Sequence, residues 1–411
     1  MPRREISVRG SISAPMRFVQ PSLAVWRGSC MRQATARGEH GRGFMLQSFQ
    51  QDCIALLREK LAKGQIDRRQ LMAGLAALGV APAAGAQAQG TRDIVMVNWG
   101  GLANQGFGQF YGDPFSAANP GYRVVQDSTG PSVGRIRSMV ESRRVTWDVC
   151  DSSATGAVLL GGLGMAEKID YSVVKREDAI GPTFTMEYGV APYSFSSVLV
   201  YDSSKFPTAP TSWADFWDLR KFPGKRLLRR DATCVLEAAS MSLGKPLNAV
   251  YPIDTRGALS QVEKIRRDCV YWNGGAESEQ FIRTGEAVMG QIWHTRASVL
   301  QRESNGRFKF IWNQGILQPG IQVVPKGNPA GAAVQRFLAS MMANADGQVG
   351  LLGLLGNGPT NPNAASRVPA ELKQFNPTDP ANAALQVPLD GNWWGANYQR
   401  VNQDFLDTVT G

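Results

Sequence analysis

The chain has 411 residues, 43% of them hydrophobic, and a formal net charge of +10; this length supports a large core and about two domains. Residues 1–89 hold 13 of the 44 Lys and Arg residues but only 5 of the 34 Asp and Glu residues, so the remainder carries about +2. The charge therefore gives no support for a nucleic-acid or membrane-surface partner.

The first organised segment, residues 67–89, has the pattern of an export signal. An adjacent pair, Arg68 and Arg69, precedes an uncharged run rich in Leu, Ala and Gly, and small residues follow that run. The arginine pair resembles the twin-arginine type of signal. Ala86 and Ala88 end two triplets of small residues, so we expect cleavage near one of them and a periplasmic mature protein.

The alternative to a cleaved signal is a retained membrane anchor. The apolar run is short for a span of roughly 20 residues, and Pro82 interrupts it, so the cleaved signal is favoured. Export signals lie at the N-terminus, and the 66 residues before this one therefore need an explanation. We interpret residues 1–66 as a leader extension from an over-called start codon, with Met31 or Met45 as the true start.

Residues 90–198 are predicted to form a first lobe of the α/β class. Strands are predicted at 94–99, 122–126 and 147–151, with helices at 105–118 and 132–141. This alternation is typical of a sheet that is covered by helices. Pro114 is expected to break the first helix, because proline removes a backbone donor.

A second α/β lobe is predicted at 199–316, entered through a long β-rich segment at 190–201. Thr211 or Ser212 is expected to cap a short helix. Further strands are predicted at 226–229, 287–293 and 308–312, and further helices at 233–243, 255–268 and 295–301. Residues 317–411 are expected to return to the first lobe through a strand at 320–325 and to end in helices.

Cysteine and histidine usage restricts the chemistry. After the leader the chain has three cysteines, Cys150, Cys234 and Cys269, and one histidine, His294. Three cysteines without a CxxC motif form at most one disulfide, and we expect buried free thiols. One histidine excludes a zinc site with several His ligands, and the sequence contains no GxSxG, Walker A or HExxH motif. We therefore predict neither an enzyme nor a cofactor.

Six separated parts of the chain form a recognisable series: residues 97–100, 147–152, 212–217 with 222–225, 285–290 with Trp293, 320–329 and 389–394. In this order and spacing they resemble the periplasmic solute-binding proteins of ABC importers, of the kind that bind spermidine and putrescine. The resemblance covers nearly all of the mature chain. It implies a two-lobed periplasmic binding protein fold of the type II kind, with crossing segments near 195–201 and 315–322 and a ligand cleft between the lobes.

This family resemblance also implies the partners. A protein of this kind captures a small organic solute in the cleft and delivers it to an ABC permease in the inner membrane. We expect a monomer that closes around its ligand by a hinge motion and has no nucleic-acid partner.

The same resemblance places aromatic and polar residues in the cleft. Trp99 matches an aromatic on the first loop, where its ring can stack on a cation or an aliphatic chain; a buried core Trp is the alternative. Asp151 and Ser152 match a loop of hydrogen-bonding groups after the third strand, and a helix cap is their alternative role. Trp293 matches a cleft tryptophan, and Trp272 is a further candidate wall.

The charged candidates leave the ligand open between an amine and a carboxylate. Asp231 matches a carboxylate that pairs with an ammonium in polyamine binders. The second acidic position, however, is Cys234, and a buried ammonium without a partner is costly. His294 and Arg296 instead suit a ligand carboxylate or another anion; a surface role is the alternative for Arg296.

Two rival functions come from other classes. The first is a secreted α/β enzyme that uses His294 or the carboxylates Asp151 and Asp231, although no nucleophile–base pair is recognisable. The second is a carrier of ferric iron or another metal ion. Tyrosines are available for that role, but the adjacent pair expected of an iron site is lacking; they are Tyr188, Tyr193 and Tyr201.

Overall fold

The computed structural model describes residues 91–411 and, before them, residues 56, 57, 59–61, 63, 65–67 and 70. The chain divides into two compact units, Met1–Ala88 and Gln89–Gly411. In the first unit an exposed ion pair joins Glu59 and Lys63. The arginine pair, the apolar run and the cleavage triplets of the predicted signal lie outside the described residues.

The described part of the second unit contains ten strands in one mixed sheet. They are β1 (Arg92–Val97), β2 (Tyr122–Asp127), β3 (Val149–Ser152), β4 (Thr185–Met186), β5 (Gly189–Asp202), β6 (Arg226–Arg229), β7 (Cys269–Trp272), β8 (Met289–Trp293), β9 (Phe308–Val323) and β10 (Gln386–Pro388). The strand order is β2-β1-β3-β9-β5-β8-β6-β7, with β10 beside β9 and β4 beside β5.

Helices lie between these strands along the chain. They are α1 (Leu102–Phe107), α2 (Asp113–Ala118), α3 (Val133–Glu141), α4 (Ala154–Gly162), α5 (Trp213–Trp217), α6 (Val235–Ser242), α7 (Thr255–Ile265), α8 (Gly275–Arg283), α9 (His294–Glu303), α10 (Ala333–Ala343), α11 (Ala345–Leu355), α12 (Pro362–Ala365), α13 (Ala370–Lys373), α14 (Pro380–Ala383) and α15 (Gly391–Thr410). The predicted α/β class is confirmed.

The sheet is built around the antiparallel pair β5 and β9, which runs through its centre. Parallel strands β1, β2 and β3 extend from this pair on one side, and β6, β7 and β8 extend from it on the other. Strand β9 joins two strands that the sequence predicted separately. Gln314 has a left-handed φ of 61°, which distorts the strand locally but does not end it.

Alternating side chains give the sheet a buried layer on each face. Near β1, Ile94 and Met96 pack with Phe107 and Phe337 on one side, whereas Val97 packs into a second layer on the other. Successive side chains of a strand point to opposite faces, so both layers follow from the apolar composition of β1. Polar and aromatic groups occur instead at the carboxyl ends of β1, β3, β6 and β8, where sheets of this kind bind ligands.

One local prediction is corrected. Pro114 does not break its helix, because it lies at the start of α2 after a π-helical turn, Gly108–Gly112, where its missing N–H is tolerated. The predicted cap of α5 is confirmed in position at Ser212, although its side chain makes no cap bond; Asp215 accepts hydrogen bonds from Thr211. Strand β7, which has four residues, and helix α8, which has few apolar residues, were not predicted.

The predicted free thiols are confirmed: Cys150 and Cys234 are buried and Cys269 is half-buried, and none of the three forms a disulfide. Across the described residues no helix is both long and apolar enough to span a membrane. The division into lobes at residues 198/199 and 316/317 stays a prediction.

Candidate functional site

A row of aromatic rings, which we call the aromatic wall, crosses the middle of the sheet. It consists of Tyr193 and Phe195 on β5, Trp293 at the end of β8 and Trp99 after β1. Ring centroids are 6.3 Å apart for Tyr193 and Phe195, 6.2 Å for Phe195 and Trp293, and 6.3 Å for Trp293 and Trp99. Tyr193 and Phe195 share one side of β5 because side chains alternate along a strand.

Trp99 is presented by a tight turn at the carboxyl end of β1. The turn continues through Gly100 and Gly101, whose φ values of 75° and 56° are left-handed and suit glycine. The Trp99 side chain is 58% exposed, so it is not the buried core residue that was its alternative. Its ring and that of Trp293 approach each other from strands in different parts of the sheet.

An acidic group lies beside the aromatic wall. Asp151, on β3, is 1% exposed, and both of its carboxylate oxygens accept from the Tyr193 hydroxyl at 2.9 Å. Burial raises the pKa of Asp151 to about 7, although hydrogen bonding to Tyr193 and to the Ser152 backbone, and the nearby Trp99 and Gln322, favour its ionised form. The carboxylate therefore lies near the exposed Trp99 side chain, without a cation beside it among these groups.

Gln322 lies next to this carboxylate. It is the register partner of Asp151 on the neighbouring antiparallel strand β9, so both side chains emerge on the same face. Gln322 is fully buried; its amide makes no hydrogen bond of ordinary geometry within the described residues, although it lies near enough to Asp151 to favour the ionised carboxylate. Buried amides normally have partners, so this one calls for a ligand or a solvent molecule.

A basic group, which the sequence reasoning missed, lies beside the inner ring Trp293 of the aromatic wall. Arg229, the last residue of β6, places its guanidinium 5.7 Å from the Trp272 ring centroid and 5.5 Å from that of Trp293. It is half-buried, and within residues 91–411 its side chain makes no hydrogen bond or ion pair. The available signal was an arginine at the carboxyl end of a predicted parallel strand, where ligands of such sheets bind.

A second hydrogen-bond donor that could bind an anion lies close to Arg229. The indole Nε1 of Trp293 is buried and has no hydrogen-bond partner among the residues described. Trp272, by contrast, is fully buried and donates to the Gln291 carbonyl at 2.8 Å. Trp272 packs edge-on against Trp293 at 5.1 Å, so it supports the aromatic wall from behind.

Asp231 and Ser152 lie close to these groups along the chain. One oxygen of Asp231 accepts from the Thr233 backbone at 2.9 Å and the other from the Tyr398 hydroxyl at 2.8 Å. Both oxygens are thus already engaged. Ser152 ends β3 and is half-buried, while the next residue, Ser153, caps α4 through its side chain.

His294 and Arg296 both have protein partners. Nδ1 of the fully buried His294 accepts from the Ser196 backbone at 2.9 Å, and Nε2 donates to the Gly356 carbonyl at 2.8 Å. Burial lowers the pKa of His294 to about 4, so the ring is neutral. Arg296 forms an ion pair with Glu279 at 3.0 Å. His294 thus offers no free donor, and the charge of Arg296 is already paired.

The described residues give no support to the alternative of a metal site. Within the part of the chain that the structure describes, no three His, Cys, Asp or Glu side chains come together as a potential metal site. Of the three tyrosines considered, Tyr193 is bound to Asp151 and Tyr188 lies 5.9 Å below the ammonium of Lys168. Tyr201 is 5% exposed and packs in the core.

Comparisons with known proteins agree with this architecture. A family model described as bacterial extracellular solute-binding protein matches residues 111–384. The gamma-aminobutyric acid (GABA)-binding protein of Pseudomonas aeruginosa is 28% identical over 336 residues, which cover 80% of this chain and 94% of that protein.

Two solved structures have the same fold along most of the chain. An ABC transporter substrate-binding protein from Bradyrhizobium japonicum is 31% identical with a TM-score of 0.72, covering 78% of this chain and 100% of that one. The GABA receptor Atu4243 is 29% identical with a TM-score of 0.71, covering 78% and 98%. These relatives are binding proteins that act in transport. The chain therefore belongs to the bacterial extracellular solute-binding protein family, and its function is that of the substrate-binding component of an ABC transporter.

Proposed function

We propose that the solute captured by this protein is a small organic carboxylate, held by Arg229. The observation that carries the proposal is the half-buried guanidinium beside two tryptophan rings, without an ion-pair partner in residues 91–411. Taking a charge out of water costs several kcal/mol unless it is paired. A ligand carboxylate would supply that partner through a bidentate hydrogen-bonded pair.

Trp293 adds to this anchor. Its unpartnered indole Nε1 is a donor without an acceptor function, so it suits a carboxylate oxygen and not an ammonium. The rings of the aromatic wall would cover the alkyl part of the ligand. Most of the surface of a small bound ligand is covered in this way, while a few polar groups fix its orientation.

A polyamine fits this site less well. The oxygens of Asp231 are engaged by Thr233 and Tyr398, and Arg229, two residues away, would repel a polycation. The relatives that bind GABA also favour a carboxylate ligand, because GABA has a carboxylate. Between the two ligand classes left open by the sequence, the carboxylate is favoured.

The test is calorimetric titration of the purified protein with GABA, butyrate and putrescine. We expect binding of the two carboxylates and none of the diamine. Arg229→Gln should weaken carboxylate binding by about 30-fold or more, the order of a lost charged hydrogen bond. The matched control is Arg230→Gln, since Arg230 is the exposed neighbour. Equal affinity in the two variants would disprove the anchor.

We infer in addition that residues 67–89 direct export through Arg68 and Arg69, with cleavage near Ala86 or Ala88. The mature protein would act as a monomer without chemistry of its own, handing its ligand to the permease. Its lobes, 90–198 with 317–411 and 199–316, would close about the two central strands. The register irregularities of β5 and β9 support hinge bending there.

A further inference from the structure

We propose that Asp151, Gln322 and Tyr193 form a cation-binding subsite, so that the ligand is a small zwitterionic amino acid with its ammonium group at Asp151. This inference rests on the proposed function, because the carboxylate of the same ligand would lie at Arg229. The two charged groups would then be joined by an alkyl chain lying along the aromatic wall.

The first argument is the charge of Asp151. A carboxylate that is 1% exposed and whose side-chain donors, Tyr193, Trp99 and Gln322, are all neutral is poorly compensated. Burial shifts its pKa upward to about 7, as expected when no cation is near. An ammonium group placed beside it would complete an ion pair that the chain itself leaves open.

The second argument is Gln322. Its amide is fully buried and makes no hydrogen bond of ordinary geometry among the described residues, and the antiparallel register directs it to the same face as Asp151. An ammonium group carries three donors. The Gln322 Oε1 atom and a carboxylate oxygen of Asp151 would accept two of them, and Gln322 Nε2 remains a donor for the carboxylate.

The third argument is continuity with the basic group. Trp99 lies near Asp151 and its ring is 6.3 Å from that of Trp293, while the Arg229 guanidinium is 5.5 Å from the Trp293 ring. The pair Trp99 and Trp293 therefore connects the carboxylate with the guanidinium. Indole rings also attract cations directly, which favours an ammonium group beside Trp99.

The experiment compares GABA with butyrate, which lacks the ammonium group, on the full-length protein and its Asp151→Asn variant. We expect the variant to weaken GABA binding at least 30-fold and to leave butyrate binding within about threefold, since both ligands share the carboxylate anchor. Thermal unfolding of the variant at pH 7 should occur no lower than in the wild type, which excludes misfolding as the cause.

The outcomes separate the two proposals. If Arg229→Gln weakens both ligands while Asp151→Asn leaves GABA unchanged, the cation subsite is wrong and the carboxylate anchor stands. If GABA binding is lost on Asp231→Asn but not on Asp151→Asn, the ammonium group lies at the other carboxylate and the subsite is again wrong. If wild-type protein binds neither GABA nor butyrate, both proposals fail.

Discussion

His294 is a buried base whose two nitrogens are used by the backbone, and this has a measurable pH consequence. Its pKa is about 4 when folded, compared with 6.5 as its ordinary value. Between these values the unfolded chain binds a proton that the folded protein does not, so the free energy of unfolding falls as pH falls. The whole effect is about 3 kcal/mol at most.

We therefore expect the stability advantage of wild type over His294→Gln to shrink by about 2 kcal/mol between pH 7.5 and pH 5. Urea unfolding of both proteins at the two pH values measures it. Glutamine carries a donor and an acceptor, so it is the closest replacement. Parallel pH dependences of wild type and variant would contradict a neutral buried His294.

Asp151 should show the opposite sign. Its pKa is about 7 when folded and 3.8 ordinarily, so in the unliganded protein the folded state holds the extra proton between these values. Stability relative to Asp151→Asn should then fall as pH rises from 4 to 7, by about 4 kcal/mol at most. Denaturant unfolding of both proteins at pH 4.5 and pH 7.5 tests this. A difference that stays constant with pH would mean that Asp151 is ionised throughout.

At the residue scale the sequence located the acidic and aromatic half of the candidate site but not its basic half. Trp99, Asp151 and Trp293 lie at or just after the ends of strands that could be predicted from their apolar runs. Arg229 also ends a strand, but His294 and Arg296 were chosen as the anion-binding candidates because they directly follow the cleft tryptophan Trp293. Only the fold reveals that their partners are Ser196, Gly356 and Glu279, because those contacts are distant in sequence.

At the element scale, helix α15 is fastened to the region after β6 by one stripe of side chains. Trp394 donates to Glu237 at 2.6 Å, Tyr398 to Asp231 at 2.8 Å, and Asn402 accepts from the Ala232 backbone at 2.9 Å. The spacing of four residues puts all three on one helix face. The C-terminal helix thereby holds the loop that follows Arg229.

Removing one of these bonds should cost stability. Trp394→Phe leaves the buried Glu237 carboxylate with one donor fewer, and we expect a loss of about 2 kcal/mol in the free energy of unfolding. Trp393→Phe is the matched control, because the Trp393 indole N–H makes no hydrogen bond within residues 91–411. Chemical denaturation compares them, and equal losses would show that ring packing alone matters.

Which elements the sequence predicted depends on their periodicity. The amphipathic helix α7 and the long strand β5 were predicted because their apolar residues recur regularly. Strand β9 was predicted as two strands, since Asn313, Gln314 and Gly315 are typical of a turn. In the structure the strand pairs with β5 on both sides of these residues, and long-range pairing overrides the local signal.

At the scale of the whole molecule, the uneven distribution of charge along the chain predicts that the isoelectric point changes on export. The leader holds most of the excess positive charge, so the mature protein should have a much lower isoelectric point than the precursor. Export by a twin-arginine signal would require Arg68 and Arg69. We expect the double change Arg68→Lys and Arg69→Lys to keep the precursor in the cytoplasm.

Cell fractionation with N-terminal sequencing tests this prediction. The exported form should begin just after Ala86 or Ala88. A control with Arg58→Lys, which lies outside the predicted signal, should be exported normally. Export of the double variant at the wild-type rate would leave the signal intact but rule out the twin-arginine route.

The irregular pairing of the central strands has a consequence for protein engineering. Ser197 pairs with Ile316 and Leu199 with Ile311, so five steps along β9 face two along β5. The odd number of extra residues reverses which side chains point up and which point down. Adding or removing one residue there would reverse the alternation of one half of β9 relative to the other, so that its buried side chains would face the wrong side of the sheet. A chimaera joined within this interval must therefore keep its length, so that each half retains its own side-chain alternation.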